Sequence, residues 1–171
     1  SFAHAYAQEP LLPSMPPCKL LRKIARRRRK NPLVGPFKFG DLLNADHLIA
    51  QSEAAMGLTG ERDALIIVDR YSKYLDCFPL RSKSAQDALS ALREFFGSDA
   101  PSDVYIWSDS AHELTKAVCT MGFVHGRDTP GRHQANGVCE RAVRSVVEGA
   151  RALLEQAGLP SCYWVFAVRY W

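Results

Sequence analysis

Three carboxylates far apart in the chain, Asp46, Asp109 and Glu140, stand in mid-strand, at a strand end and in the first turn of a helix, where together they could do chemistry. Asp46 lies inside "LLNADHLI", a segment apolar at both ends, and a carboxylate taken from water in mid-strand must be paired or bound to a cation. Asp109 closes "VYIWSD" and precedes a helical stretch, which places it at the carboxyl edge where open α/β sheets bind their ligands. Glu140 falls in the first turn of the helix that follows "GRHQANG". Acids brought together repel, and a divalent ion relieves the repulsion. A donor set made of oxygen alone suits Mg²⁺ or Mn²⁺ and, through them, phosphate chemistry. Residue type alone does not single these three out. Asp41, Asp69 and Asp103 also sit near strand ends, and Asp69, after "ALIIV", is as good a strand-end acid as Asp109.

The elements that must carry these acids follow from periodicity. "LLNADHLI" (42–49), "ALIIVD" (64–69) and "YLDCFPL" (74–80) read as three strands, the last two joined by the short "RYSK" turn, and the set is expected to be antiparallel. "SAQDALSALREFFG" (84–97) has a capping serine, an apolar stripe and a closing glycine, and so predicts a helix. A buried strand (104–109), a short helix (111–122), a short strand (123–126), a long helix (138–158) and an aromatic helix opened by Pro160 complete the order βββαβαβαα. This order describes an α/β fold with a mixed sheet flanked by helices. On the long helix Val138, Ala142, Val143, Val146, Ala150, Leu153 and Leu154 form the apolar side, and Glu140 falls outside it with Arg144, Glu148 and Arg151. Taken alone, Glu140 and Arg144 at i and i+4 read as a surface ion pair worth about 0.3–0.5 kcal/mol.

With 171 residues and 47% apolar content the chain suits one domain with a hydrophobic core. Residues 1–36 hold most of the ten prolines and the block "KLLRKIARRRRK" (19–30), and they read as an irregular basic arm before a core at 37–171. That block carries eight of the 22 basic residues, leaving 14 basic against 18 acidic residues elsewhere. Such an arm suits nucleic-acid contact, nuclear import or a plain charged linker. No run approaches eighteen apolar residues and no signal peptide is legible, so the expectation is an intracellular chain with no membrane partner. The absence of an initial Met and the ending at Trp171 inside "CYWVFAVRYW" read as a fragment of something longer. Five widely spread cysteines with no C-x-x-C pair suggest reduced thiols, mostly in the core.

Several ordered blocks from about Phe37 to Trp171 carry a resemblance: "NADHLI", "ALIIVDRYSKYLDCFPLRSKSA", "WSDSAHEL" and "DTPGRHQANGVCERAVR". The chain resembles the catalytic core of retroviral and LTR-retrotransposon integrases, with a copia-like flavour. The resemblance implies an RNase H-like fold, three antiparallel strands then parallel ones, and a catalytic triad of Asp46, Asp109 and Glu140 holding two Mg²⁺ or Mn²⁺ ions. Two ions about 3.5–4 Å apart can activate an attacking oxygen and stabilise the leaving one. The implied reactions are trimming of DNA ends and their joining to target DNA by one site, with DNA as partner, homo-oligomeric assembly and work in the nucleus. Gln134 and Asn136 would line the active-site loop, and Arg141, Arg144 and Arg151 become candidates for phosphate contact. Their alternative is salt-bridged surface arginines.

The sequence departs from the family pattern in places. Ser110 and Ala111 follow the second aspartate where the family has Asn-Gly, and thirty residues between Asp109 and Glu140 are a few fewer than usual. His4 and Cys18 stand where a zinc module would lie, but four ligands are not assembled, so zinc is not expected. His112 and Glu113 read as surface residues, His47 as a hydrogen-bonded strand histidine able to orient Asp46, and Trp107 and Trp164 as packing. Two rivals stand beside the integrase reading: a degenerate copy that binds nucleic acid without catalysis, and an RNase H-like nuclease that hydrolyses without joining.

Overall fold

The computed structural model describes residues 36, 38–49, 55–98, 100–109, 111–127 and 137–171. The basic arm with His4 and Cys18, together with Asp128, Gln134 and Asn136, lies outside the described residues.

β2 (Asp63–Asp69) is buried at every position, as the unbroken run "ALIIV" requires of a strand covered on both faces. It pairs antiparallel with β1 (Leu42–Ile49) on one side and with β3 (Leu75–Leu80) on the other. β1 also pairs in parallel with β4 (Tyr105–Ser108), which in turn pairs in parallel with β5 (Val124–Arg127). The described sheet has the order β3-β2-β1-β4-β5, with β1 at its centre. The expected mixed sheet, three antiparallel strands then parallel ones, is therefore what forms.

Alternation along the strands divides the core in two. Leu43, Ala45, Leu65, Ile67 and Ile106 point to one face, where α1 (Ala85–Phe96) brings Leu92 and Phe95 and α2 (His112–Thr120) brings Leu114 and Val118. Ala64, Ile66, Val68 and Cys77 point to the other, covered by α3 (Gly137–Ala157) with Ala142, Val146 and Ala150. A short 3₁₀ turn, Ser161–Tyr163, leads into α4 (Trp164–Tyr170), which adds Ala167 and Val168 to that second face. Helix α1 begins and ends as its sequence requires. Ser84 accepts from the Asp87 N–H, and Gly97 adopts φ 64° while donating to Arg93 O.

Gly126 shows how closely β5 must approach β4. A Cβ there would collide with the Tyr105 hydroxyl and the Trp107 ring, which stack with centroids 6.1 Å apart. Gly126→Ala is expected to loosen the β4–β5 pair and destabilise the fold by about 1–3 kcal/mol. A denaturant midpoint equal to that of the unaltered chain would show that the aromatic stack simply shifts aside.

Candidate active site

Asp46 occupies β1 just beyond the reach of β4. The parallel ladder ends at Asn44↔Trp107, and the Tyr105 N–H bonded to Asp41 O shows that odd-numbered residues of β1 turn their main-chain groups toward β4. The His47 N–H therefore points past the last β4 partner, and the Asp46 carboxylate accepts it at 2.8 Å. Burial raises the Asp46 carboxyl above its ordinary value, the His47 N–H bond lowers it, and the charge of Asp109 raises it again, leaving a net rise.

Asp109 follows the last residue of β4 and is half-buried; its Oδ1 accepts the Ala111 N–H at 3.2 Å. Glu140 lies in the first turn of α3, fully on the solvent side of the helix. Among the described residues no ion pair joins Glu140 to Arg144, so the i,i+4 bridge does not occupy this carboxylate. The residue before Glu140 on the helix, Cys139, is buried. Burial pushes its thiol far above its ordinary range, and the charges of Asp46, Asp109 and Glu140 push it further. The charges of all three acids are thus felt at one buried sulfur.

Asp46 and Glu140 also line a common cavity of about 380 Å³ along α3, with Arg144, Glu148 and Arg151 on its wall. Arg141 is exposed and lies outside that wall. Among the described residues no three His, Cys, Asp or Glu side chains are gathered as a ready-made cation cage. A larger apolar groove of about 750 Å³ runs between the far end of α3 and α4, but no carboxylate lines it.

Hydrogen bonds give Asp69 a structural role. Asp69 Oδ1 accepts the Gly40 N–H at 3.0 Å, and Oδ2 accepts both the Ser72 N–H and the Ser72 hydroxyl at 2.6 and 2.7 Å. Asp69 is the buried organiser of the β2–β3 turn, in which Lys73 adopts φ 65°. Asp103 pairs with Lys38 at 3.7 Å. The His47 ring lies on the face opposite Asp46, its Nδ1 2.8 Å from Asp63 Oδ2, with both side chains almost wholly buried. The histidine side chain thus serves Asp63, and Asp46 receives only its main-chain N–H.

Lys83 is a residue that the strand and helix pattern did not single out. Its ammonium pairs with Glu113 at 3.3 Å and its charge opposes the rise at Asp46. Nothing in "RSKSA" distinguishes it from an ordinary loop lysine. His112 is exposed, Trp107 is half-buried against Tyr105, and Trp164 Nε1 donates to Ala55 O at 2.9 Å. Of the four described cysteines, all free, Cys77 and Cys139 are buried, Cys162 is half-buried and Cys119 is exposed. The expectation of mainly core thiols holds for two of them.

The solved structures that this arrangement matches share its topology. The catalytic core domain of BIV integrase superposes with a TM-score of 0.52 at 14% identity, over 75% of this chain and 80% of that one. A chain of the simian T-cell lymphotropic virus intasome, solved with the PP2A regulatory subunit B56 gamma, superposes with a TM-score of 0.57 at 13% identity, over 80% and 50%. The fold is that of an integrase catalytic core. In sequence the chain is similar to retrovirus-related Pol polyproteins of transposons: RE2 of Arabidopsis thaliana, 26% identical over 121 residues, and RE1 of the same plant, 27% over 108. It is also similar to that of TNT 1-94 of Nicotiana tabacum, 37% identical over 60 residues. These stretches cover 68%, 60% and 35% of the chain. The chain spans only 8%, 7% and 4% of those polyproteins' own lengths. No family model matches the chain. Among the described residues no helix is long and apolar enough to cross a membrane.

Proposed function

We propose that this chain is the catalytic core of a retroelement integrase, a polynucleotidyl transferase that trims the ends of element DNA and joins them to target DNA. The observation that supports this reading is the cavity shared by Asp46 and Glu140, walled by Arg144, Glu148 and Arg151, on a fold shared with integrase cores, with the charge of Asp109 felt at Asp46. The donor set consists of oxygens only, and the Asp46 carboxyl is already raised by burial and by Asp109, as expected of acids whose repulsion a cation would relieve. Mg²⁺ or Mn²⁺ would be held by Asp46, Asp109 and Glu140. When bound, the ions supply positive charge to the phosphate and to the attacking and leaving oxygens of an in-line displacement. Glu140, exposed on the first turn of α3, has the rotamer freedom to swing toward the aspartates as DNA fills the site.

In the joining step the 3′-hydroxyl oxygen of one DNA end bonds to a target phosphorus, the target's P–O3′ bond breaks, and the displaced 3′-oxygen takes up a proton. Arg144 and Arg151 would hold flanking phosphates, contacts that position the duplex without reading its sequence. Arg141 and, from the sequence, Gln134 and Asn136 are further candidates for DNA contact. Element-end and target DNA are the partners that follow, with copies of the chain assembling on them in the nucleus.

The test uses a branched DNA substrate with Mn²⁺, which asks for phosphoryl transfer without demanding end recognition. Resolution of the branch, lost in Glu140→Gln while duplex binding persists, is the expected result. Duplex binding without transfer by the unaltered chain would favour the degenerate copy, and hydrolysis without joining the nuclease. Arg144→Ala and Arg151→Ala are each expected to reduce the slope of log K against log salt by about one.

A further inference from the structure

Asp109 stands one residue beyond the sheet, since β4 stops pairing with β1 at Trp107 and with β5 at Ser108. Among the described residues no strand ladder fixes its main chain, yet its carboxylate must be held in a fixed direction if it is to act. The Ser108 hydroxyl, fully buried, lies 2.8 Å from the Asp109 carbonyl oxygen and 2.7 Å from Nε2 of His125 on β5. A carbonyl only accepts, so the single hydroxyl proton is committed to it, and the contact with the ring then requires His125 Nε2–H to donate to Ser108 Oγ. The chain of donors therefore has one direction, from β5 through the end of β4 to the residue that carries the carboxylate. Without the imidazole the hydroxyl is free to take another staggered rotamer and release the Asp109 carbonyl.

We propose that Ser108 and His125 are positioning residues for Asp109: a hydrogen-bond relay anchored on β5 that aims its carboxylate into the site. The proposal rests on the reading of Asp109 as a site acid and adds to it the two residues that hold it. Outer-shell partners of this kind typically alter metal affinity 10- to 100-fold when removed.

Four observations on the full chain test it. The imidazole ¹⁵N shifts of His125 should report a proton on Nε2; a ring protonated on Nδ1 alone overturns the relay. In Ser108→Ala and His125→Leu, exchange of the Ala111 amide, which donates to Asp109 Oδ1, should accelerate at least about tenfold while the Ile106 amide keeps its protection. Mn²⁺ affinity should fall about tenfold in both. His125→Gln, whose amide nitrogen can donate where Nε2 did, should restore both properties, which a purely structural role would not require. Unchanged Ala111 exchange and unchanged Mn²⁺ affinity in folded Ser108→Ala overturn the proposal. If the unaltered chain takes up no Mn²⁺, the metal reading of the site fails, whereas the His125 tautomer and the Ala111 amide still decide the relay.

Discussion

Asp46→Asn is expected to abolish phosphoryl transfer, by roughly 10³-fold or more, and at the same time to make the folded chain more stable at neutral pH. The first effect follows from removing the one acid that neighbours Asp109 and shares a cavity with Glu140. The second follows from the carboxyl's environment. Burial, the largest influence, raises the Asp46 carboxyl, the His47 N–H lowers it, and Asp109 raises it, with a net rise over the unfolded chain. A folded state that holds its proton more tightly than the unfolded state is favoured at low pH and loses that advantage as pH rises through the folded value. Below the ordinary carboxyl range both states are protonated, and the variant should match the unaltered chain. Above it the unaltered chain alone bears the ionised, part-buried acid. Urea midpoints at pH 3 and pH 7 in chelator, so that no divalent ion contributes, read the difference. A variant less stable than its parent at pH 7 would mean that Asp46 is held by compensating contacts and is not a strained functional acid.

His47→Leu carries the largest expected effect on stability. Asp63 Oδ2 has His47 Nδ1 at 2.8 Å, while Asp63 Oδ1 and His47 Nε2 find no protein partner among the described residues. Removing the ring strands a carboxylate that is 2% exposed, and breaking a buried pair from one side costs about 3–5 kcal/mol. Replacing both members behaves differently. His47→Leu with Asp63→Leu removes the polar pair without leaving an orphan, and its stability is expected to return to the parent's or exceed it. Denaturation of the two single variants and the double closes the cycle. Equal destabilisation in the single and double variants would show that the ring acts through packing and not as Asp63's partner.

The periodicities that specified the elements were strong because each strand and helix here buries one clear set of residues. "ALIIV" could only be a doubly covered strand, and the stripe from Val138 to Leu154 could only be a helix lying on a sheet.

The candidate site was less legible. Residue type and spacing admitted Asp69 as readily as Asp109, because both close a buried strand. What separates them among the described residues is where their lone pairs are spent: Asp69 on Gly40 and on Ser72 of its own turn, Asp109 on the Ala111 amide. His47 reads from sequence as a hydrogen-bonded strand histidine able to orient Asp46; strand alternation sends adjacent side chains to opposite faces, and its ring bonds to Asp63, sixteen positions away. Local sequence thus determined which elements form, since backbone periodicity is read over a few residues. Only tertiary structure decided that Asp46 and Glu140 line one cavity while Asp69 and Asp63 hold the fold, because those contacts depend on strand order and on where each ladder ends, and neither is encoded within a single segment.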